Sequence, residues 1–117
     1  MSYKFRRLTE LQKECQKHLD NKNYSEVISI YEKMFEISKD YIYKLSIANI
    51  HYKCLNNLAK ATEMYNELRP KLEHLPSFWW QNFEIQSNNS NIYEATYSVY
   101  KAIELEDLTK IKEDTNA

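Results

Sequence analysis

Apolar side chains recur along this chain in stripes spaced three and four residues apart, and one stripe appears three times. After Asn23 it runs through Tyr24, Val27, Tyr31 and Met34. After Asn57 it runs through Leu58, Ala61, Tyr65 and Leu68, and after Asn91 through Ile92, Ala95, Val99 and Ala102. Such spacing is the apolar face of an amphipathic helix, and the offset between copies is 34 residues each time. The Asn before each stripe suits a helix start, because its side-chain oxygen can accept from the free N–H groups of a first helical turn. Glu26 and Glu94, three residues further on, would complete capping boxes, whereas Lys60 breaks the middle one. Three second helices are therefore expected to begin at these points, with first helices over about 8–20, 41–55 and 77–88. Pro76 suits the start of the last of these, and Pro70 is expected to end the helix before it.

Composition strengthens the helical reading. The 117 residues include no glycine. Phosphate-cradling loops need glycine for close backbone approach, so the common nucleotide-binding fingerprints are excluded. Hairpins with primed turns would have to rely on Asn or Asp, which argues against an all-β fold. A chain of this length is expected to form one domain. The two cysteines, Cys15 and Cys54, build no disulfide framework. With no apolar leader at MSYKFRRL and no long apolar run, an intracellular, cytoplasmic protein is expected. The net charge of −1 hides a polarity: residues 1–23 carry six basic and three acidic groups, and residues 84–117 three basic and seven acidic. Solvated faces account for such a bias, and so does end-to-end association or a polarised partner.

The 34-residue period, Ala48 and Tyr52 in the middle first helix, Trp79 in the last one, and Ala61, Ala95 and Ala102 in second helices resemble the tetratricopeptide repeat family. The resemblance covers residues 8–107 in three copies. It implies an all-α fold, a right-handed solenoid of helical pairs in a single domain, with repeats at about 8–41, 42–75 and 76–109 and a polar tail over 110–117. The departures are specific. The small residue where the two helices of a repeat cross is Cys15, then Asn49, then Phe83, which points to a shifted first helix in the third repeat. The turn position that the family often fills with glycine holds Lys22, Asn56 and Ser90. Of these, Asn adopts left-handed backbone angles most readily.

In that family first helices line a concave, peptide-binding groove. Two apolar stripes run along the middle first helix, and the structural reading makes both of them core. The binding reading places Tyr43, Ile47 and Ile50 on the groove floor with Trp80, beside Gln81, where aromatic anchors concentrate binding energy. Trp79 occupies the family's core position. Positions matching the carboxylate clamp of the chaperone-cofactor subset hold Gln12, Gln16, Ile47, Ser77 and Gln81, none of them charged, so an apolar or amide-bearing ligand is expected over an acidic chain end. Tyr93, Tyr97 and Tyr100 lie off the main stripe of the last helix, where they can be exposed or meet another chain, and a solenoid normally requires a cap at this end. Leu108 and Ile111 can extend that helix by a turn or two, and a partner or a second copy is expected to cover it.

The expected role is that of an adaptor, complex subunit or chaperone that holds a peptide or helix of another protein, with no cofactor and no membrane contact. The alternative is single-stranded RNA binding of the pentatricopeptide type, suggested by IYEKM and MYNEL. Ile47 and Trp80 on the inner face and an acidic last repeat oppose it, because phosphate charge must be offset. His51 and Cys54 could supply only two metal ligands where a structural zinc site needs four. No nucleophile–base constellation stands out, so neither a metal site nor catalysis is expected.

Overall fold

Among the described residues six helices form. They are α1 (Tyr3–Asp20), α2 (Tyr24–Ser38), α3 (Ile42–Lys53), α4 (Leu58–Leu72), α5 (Pro76–Asn88) and α6 (Ile92–Asn116). The structure is a computed structural model and describes residues 2–116, with side chains to residue 113. Among the described residues there is no strand, and no helix is long and apolar enough to cross a membrane. The chain divides into two compact units, Met1–Met64 and Tyr65–Ala117, with the division inside α4.

Three boundaries differ from expectation. α1 starts about five residues early because Ser2 caps it, its hydroxyl accepting from the Phe5 N–H at 3.2 Å. Pro70 does not stop α4, which continues to Leu72, although proline brings no N–H to the carbonyl four residues back and its ring crowds that carbonyl. The segment 110–116, expected as a polar tail, continues α6, and Ala117 lies outside the described residues.

The turns carry the 34-residue period into the backbone. Lys22, Asn56 and Ser90 take left-handed φ values of 56°, 51° and 58°. At the first turn the Lys22 N–H donates to the Leu19 carbonyl at 3.0 Å and the Asn23 N–H to the His18 carbonyl at 2.8 Å; at the third, Ser90 donates to Ser87 at 3.0 Å and Asn91 to Gln86 at 2.9 Å. That pair of bonds closes a helix on a left-handed residue. The middle turn is one residue longer, its Asn57 N–H reaching the His51 carbonyl at 2.8 Å.

Two of the three expected Asn caps form. Asn57 accepts from the Lys60 N–H at 3.1 Å and Asn91 from the Glu94 N–H at 3.3 Å. Asn23 makes no cap bond and instead approaches His18 Nδ1 at 3.4 Å and accepts from the Ser25 hydroxyl at 3.5 Å. Each of these Asn N–H groups is already taken by the preceding helix, so a capping box has no donor left for its reciprocal half. The Glu94 carboxylate pairs with Arg69 at 2.7 Å instead.

In the first unit α2 packs against α1 and α3. Leu11 and Cys15 meet Val27, Ile30, Met34 and Ile50 in one buried cluster, with Leu8, Tyr31 and Tyr43 packed against it. In the second unit α5 and α6 form a closely packed hairpin. Ala95, Ser98 and Ala102 put a line of small side chains on the α6 face that is buried, so the helix backbones can approach closely. Phe83 does not fill this crossing and is exposed. Asn82 is buried in its place, where its amide donates to Ser98 Oγ at 2.9 Å while Gln86 reaches Asn82 Oδ1 at 3.5 Å. The helix is turned by one residue, so that an amide with a hydroxyl partner packs there and the phenyl ring lies outside. Trp79 is core, as expected, its indole N–H donating to the Glu73 carbonyl at 2.8 Å. Phe78, also fully buried, stacks on Tyr65 with ring centroids 5.2 Å apart.

Candidate protein-contact surface

The expected contact residues divide between the units. Tyr43, Ile47 and Ile50 belong to the first. Ile47 is only 3% and Ile50 only 8% exposed, and Tyr43 is half-buried and stacks on Tyr31 at 6.3 Å. They form no open groove floor. α3 carries apolar stripes on two opposite sides, and Ile50 joins the Leu11–Cys15 cluster, so its second stripe is core like the first.

Trp80 and Gln81 lie on α5. Trp80 is 38% exposed, and its indole N–H donates to Glu106 Oε1 of α6 at 2.7 Å. Beside it is a shallow groove of about 450 Å³, lined by Ser77, Trp80, Glu106, Thr109, Lys110 and Glu113. Trp80 therefore faces the C-terminal half of α6, with its polar edge satisfied. Gln81 is partly buried, and its Oε1 has no hydrogen-bond partner among the described residues.

Tyr93, Tyr97 and Tyr100 are all exposed on α6. Tyr93, Tyr97 and Tyr100 are spaced four and three apart, which puts them on one side of the helix. Tyr93 is 77% and Tyr100 61% exposed, and the same side continues through Leu108 and Ile111, both exposed. Ala95, Ser98 and Ala102 point the other way, into the hairpin. Tyr97 also touches the core, its ring meeting Trp79 edge-on at 5.6 Å, so the stripe is anchored to the hairpin at its centre.

Charge holds the outer face in place. Glu104 accepts a hydrogen bond from the Tyr100 hydroxyl and pairs with Lys101 Nζ at 3.2 Å. Those two contacts, Tyr100 first, hold its carboxyl below the usual carboxylate range. The same bond raises the Tyr100 phenol above its ordinary value, and the Glu104 hydrogen bond raises Lys101.

The sequence marks Tyr93, Tyr97 and Tyr100 because they fall off the buried stripe. The Glu106–Trp80 bond spans 26 residues and leaves no mark in local spacing. Among the described residues no group of three or more His, Cys, Asp or Glu side chains is placed to hold a metal ion. Comparison with protein-family models, with curated proteins and with solved structures finds no match.

Proposed function

We propose that the chain is a three-repeat helical solenoid of the tetratricopeptide kind and works as a protein-binding module, an adaptor, complex subunit or chaperone, through the outer face of α6. The repeat reading is supported by features that recur every 34 residues. Second helices begin at Tyr24, Leu58 and Ile92, and left-handed residues sit at 22, 56 and 90. Val27, Ala61 and Ala95 are buried in turn, as are Met34, Leu68 and Ala102.

The observation that carries the binding reading is the stripe of exposed Tyr93, Tyr97, Tyr100, Leu108 and Ile111 on a helix whose opposite side is already buried. Contiguous exposed aromatic and aliphatic side chains mark contact surfaces. Tyrosine supplies large contact area with little rotamer entropy to lose. The burial of Ile47 and Ile50 favours this face over a concave apolar floor.

The test is affinity capture from the native cell on immobilised full chain, compared with Tyr93→Ser/Tyr100→Ser. The variant is expected to keep its helical circular dichroism and to retain specific partners at least about tenfold less, a loss of roughly 1.4 kcal/mol. Retention of the same proteins in the same amounts by both chains would remove the α6 face from consideration.

A further inference from the structure

Taking α6 as the contact surface, its chemistry selects the kind of partner. Tyr93, Tyr97, Tyr100, Glu104 and Asp107 follow one another at four- and three-residue intervals, so aromatic faces give way to carboxylates along a single seam, Glu104 being shared with Lys101 and Asp107 lying exposed beyond it. Both prefer cations: ring faces attract ammonium and guanidinium groups, and carboxylates pair with them. Exposed Leu108 and Ile111 add an apolar margin. The seam therefore fits a helix that presents Lys and Arg at matching intervals with apolar or aromatic flanks.

The chain itself carries such a helix. On α1, Leu11 and Cys15 are buried, and the opposite side presents Arg6, Lys13 and Lys17, all exposed. With Glu10 they repeat the four- and three-residue spacing of the α6 seam. Over eleven residues the row of cations spans about 16 Å, and the tyrosine and carboxylate row from Tyr93 to Asp107 spans about 21 Å. Tyr3 and Phe5 stand exposed on the same helix. Glu10 is taken up by Arg7 at 3.4 Å, whereas Arg6, Lys13 and Lys17 have no acidic partner among the described residues. The charge polarity has the same sense, basic over residues 1–23 and acidic over 84–117.

We propose that the chain self-associates heterologously, the α6 outer face of one copy seated on the basic outer face of α1 of another. The two surfaces differ, so each copy offers one of each kind. Charge complementarity predicts strong dependence on ionic strength, because exposed pairs are screened within about 10 Å at 0.1 M salt.

Sedimentation velocity on the full chain tests this with two variants that each disable one face, Arg6→Glu/Lys13→Glu/Lys17→Glu and Tyr93→Glu/Tyr100→Glu. At low salt the wild type is expected to associate at concentrations of up to about 1 mM, the weak end of specific affinities, and to dissociate when salt is raised. Each variant alone should be monomeric, and an equimolar mixture should give a 1:1 heterodimer, because each supplies the face the other lacks. Three results would overturn the proposal. They are a wild type that stays monomeric at low salt, an α1 variant that associates as strongly as the wild type, and a mixture that stays monomeric. A monomeric wild type whose α6 face still captures a different protein would leave the function above standing and remove only this choice of partner.

Discussion

Replacing Lys22 and Ser90 by glycine should stabilise the protein, and the size of the gain follows from the turns. Both residues sit at left-handed φ, 56° and 58°, and donate 3.0 Å N–H bonds that close their helices. A side chain with a Cβ pays roughly 1–2 kcal/mol to stay there. Glycine removes that strain but adds about 0.4–1 kcal/mol of unfolded-state freedom. The net gain is about 0.5–1 kcal/mol at each site. The two turns lie in different units and share no partner, so the gains should add to roughly 1–2 kcal/mol. For a chain of this size that raises Tm by about 4–8 °C, readable by far-ultraviolet circular dichroism during heating and in urea. Asn56→Gly should gain less, since Asn tolerates the left-handed region better. The discriminating control is alanine, which keeps the Cβ: Lys22→Ala and Ser90→Ala should bring no gain. Neutral or destabilised glycine variants, or alanine variants that gain as much, would refute the strain argument.

Ser98→Ala should cost about 1–3 kcal/mol in urea unfolding by leaving the buried Asn82 amide without its acceptor; adding Asn82→Leu should recover most of the loss. Ile47→Glu should unfold the chain or destabilise it by several kcal/mol, an unpaired carboxylate being forced into a buried site. Tyr93→Glu on the exposed face should stay within about 0.5 kcal/mol of wild type, and equal effects at the two positions would contradict the assignment of core and surface. Burial first, then Cys15 and Tyr43, push the Tyr31 phenol from the usual 10 up to about 12. A raised value favours the neutral form in the folded state, so this stability is intact below pH 10 and lost as pH rises towards 12. Tyr31→Phe should flatten that alkaline loss, and an unchanged alkaline midpoint would contradict it.

The helices were legible because their signal is local. Asn57 and Asn91, apolar side chains at three- and four-residue steps, and Pro76 all act within a turn or two of where they stand, and the structure uses each as the spacing implies. What was not legible depends on contacts across longer distances. α3 carries apolar stripes on two opposite sides, so nothing in its pattern separates a second core stripe from a groove floor, and only packing decided Ile47 and Ile50. Phe83 occupies the crossing position by period, yet the helix turned to bury Asn82 because Ser98, 16 residues on, offers a hydrogen bond. Trp80 was readable as a flank residue but not as the partner of Glu106. Much of the α6 surface was legible: Tyr93, Tyr97 and Tyr100 stood off the buried stripe and Leu108 and Ile111 could extend the helix, whereas its run on to Asn116 was not marked by any apolar spacing.

The claim that the outer face of α6 is a protein-contact surface is tested most directly by tyrosine nitration mapped by mass spectrometry, on the isolated chain and on its captured complex. Tyr93 and Tyr100 should react in the isolated chain held dilute and at high salt, where copies are apart, and be protected in the complex, while the buried Tyr65 stays unreactive in both. Equal reactivity of Tyr93 and Tyr100 in the two states would contradict the account.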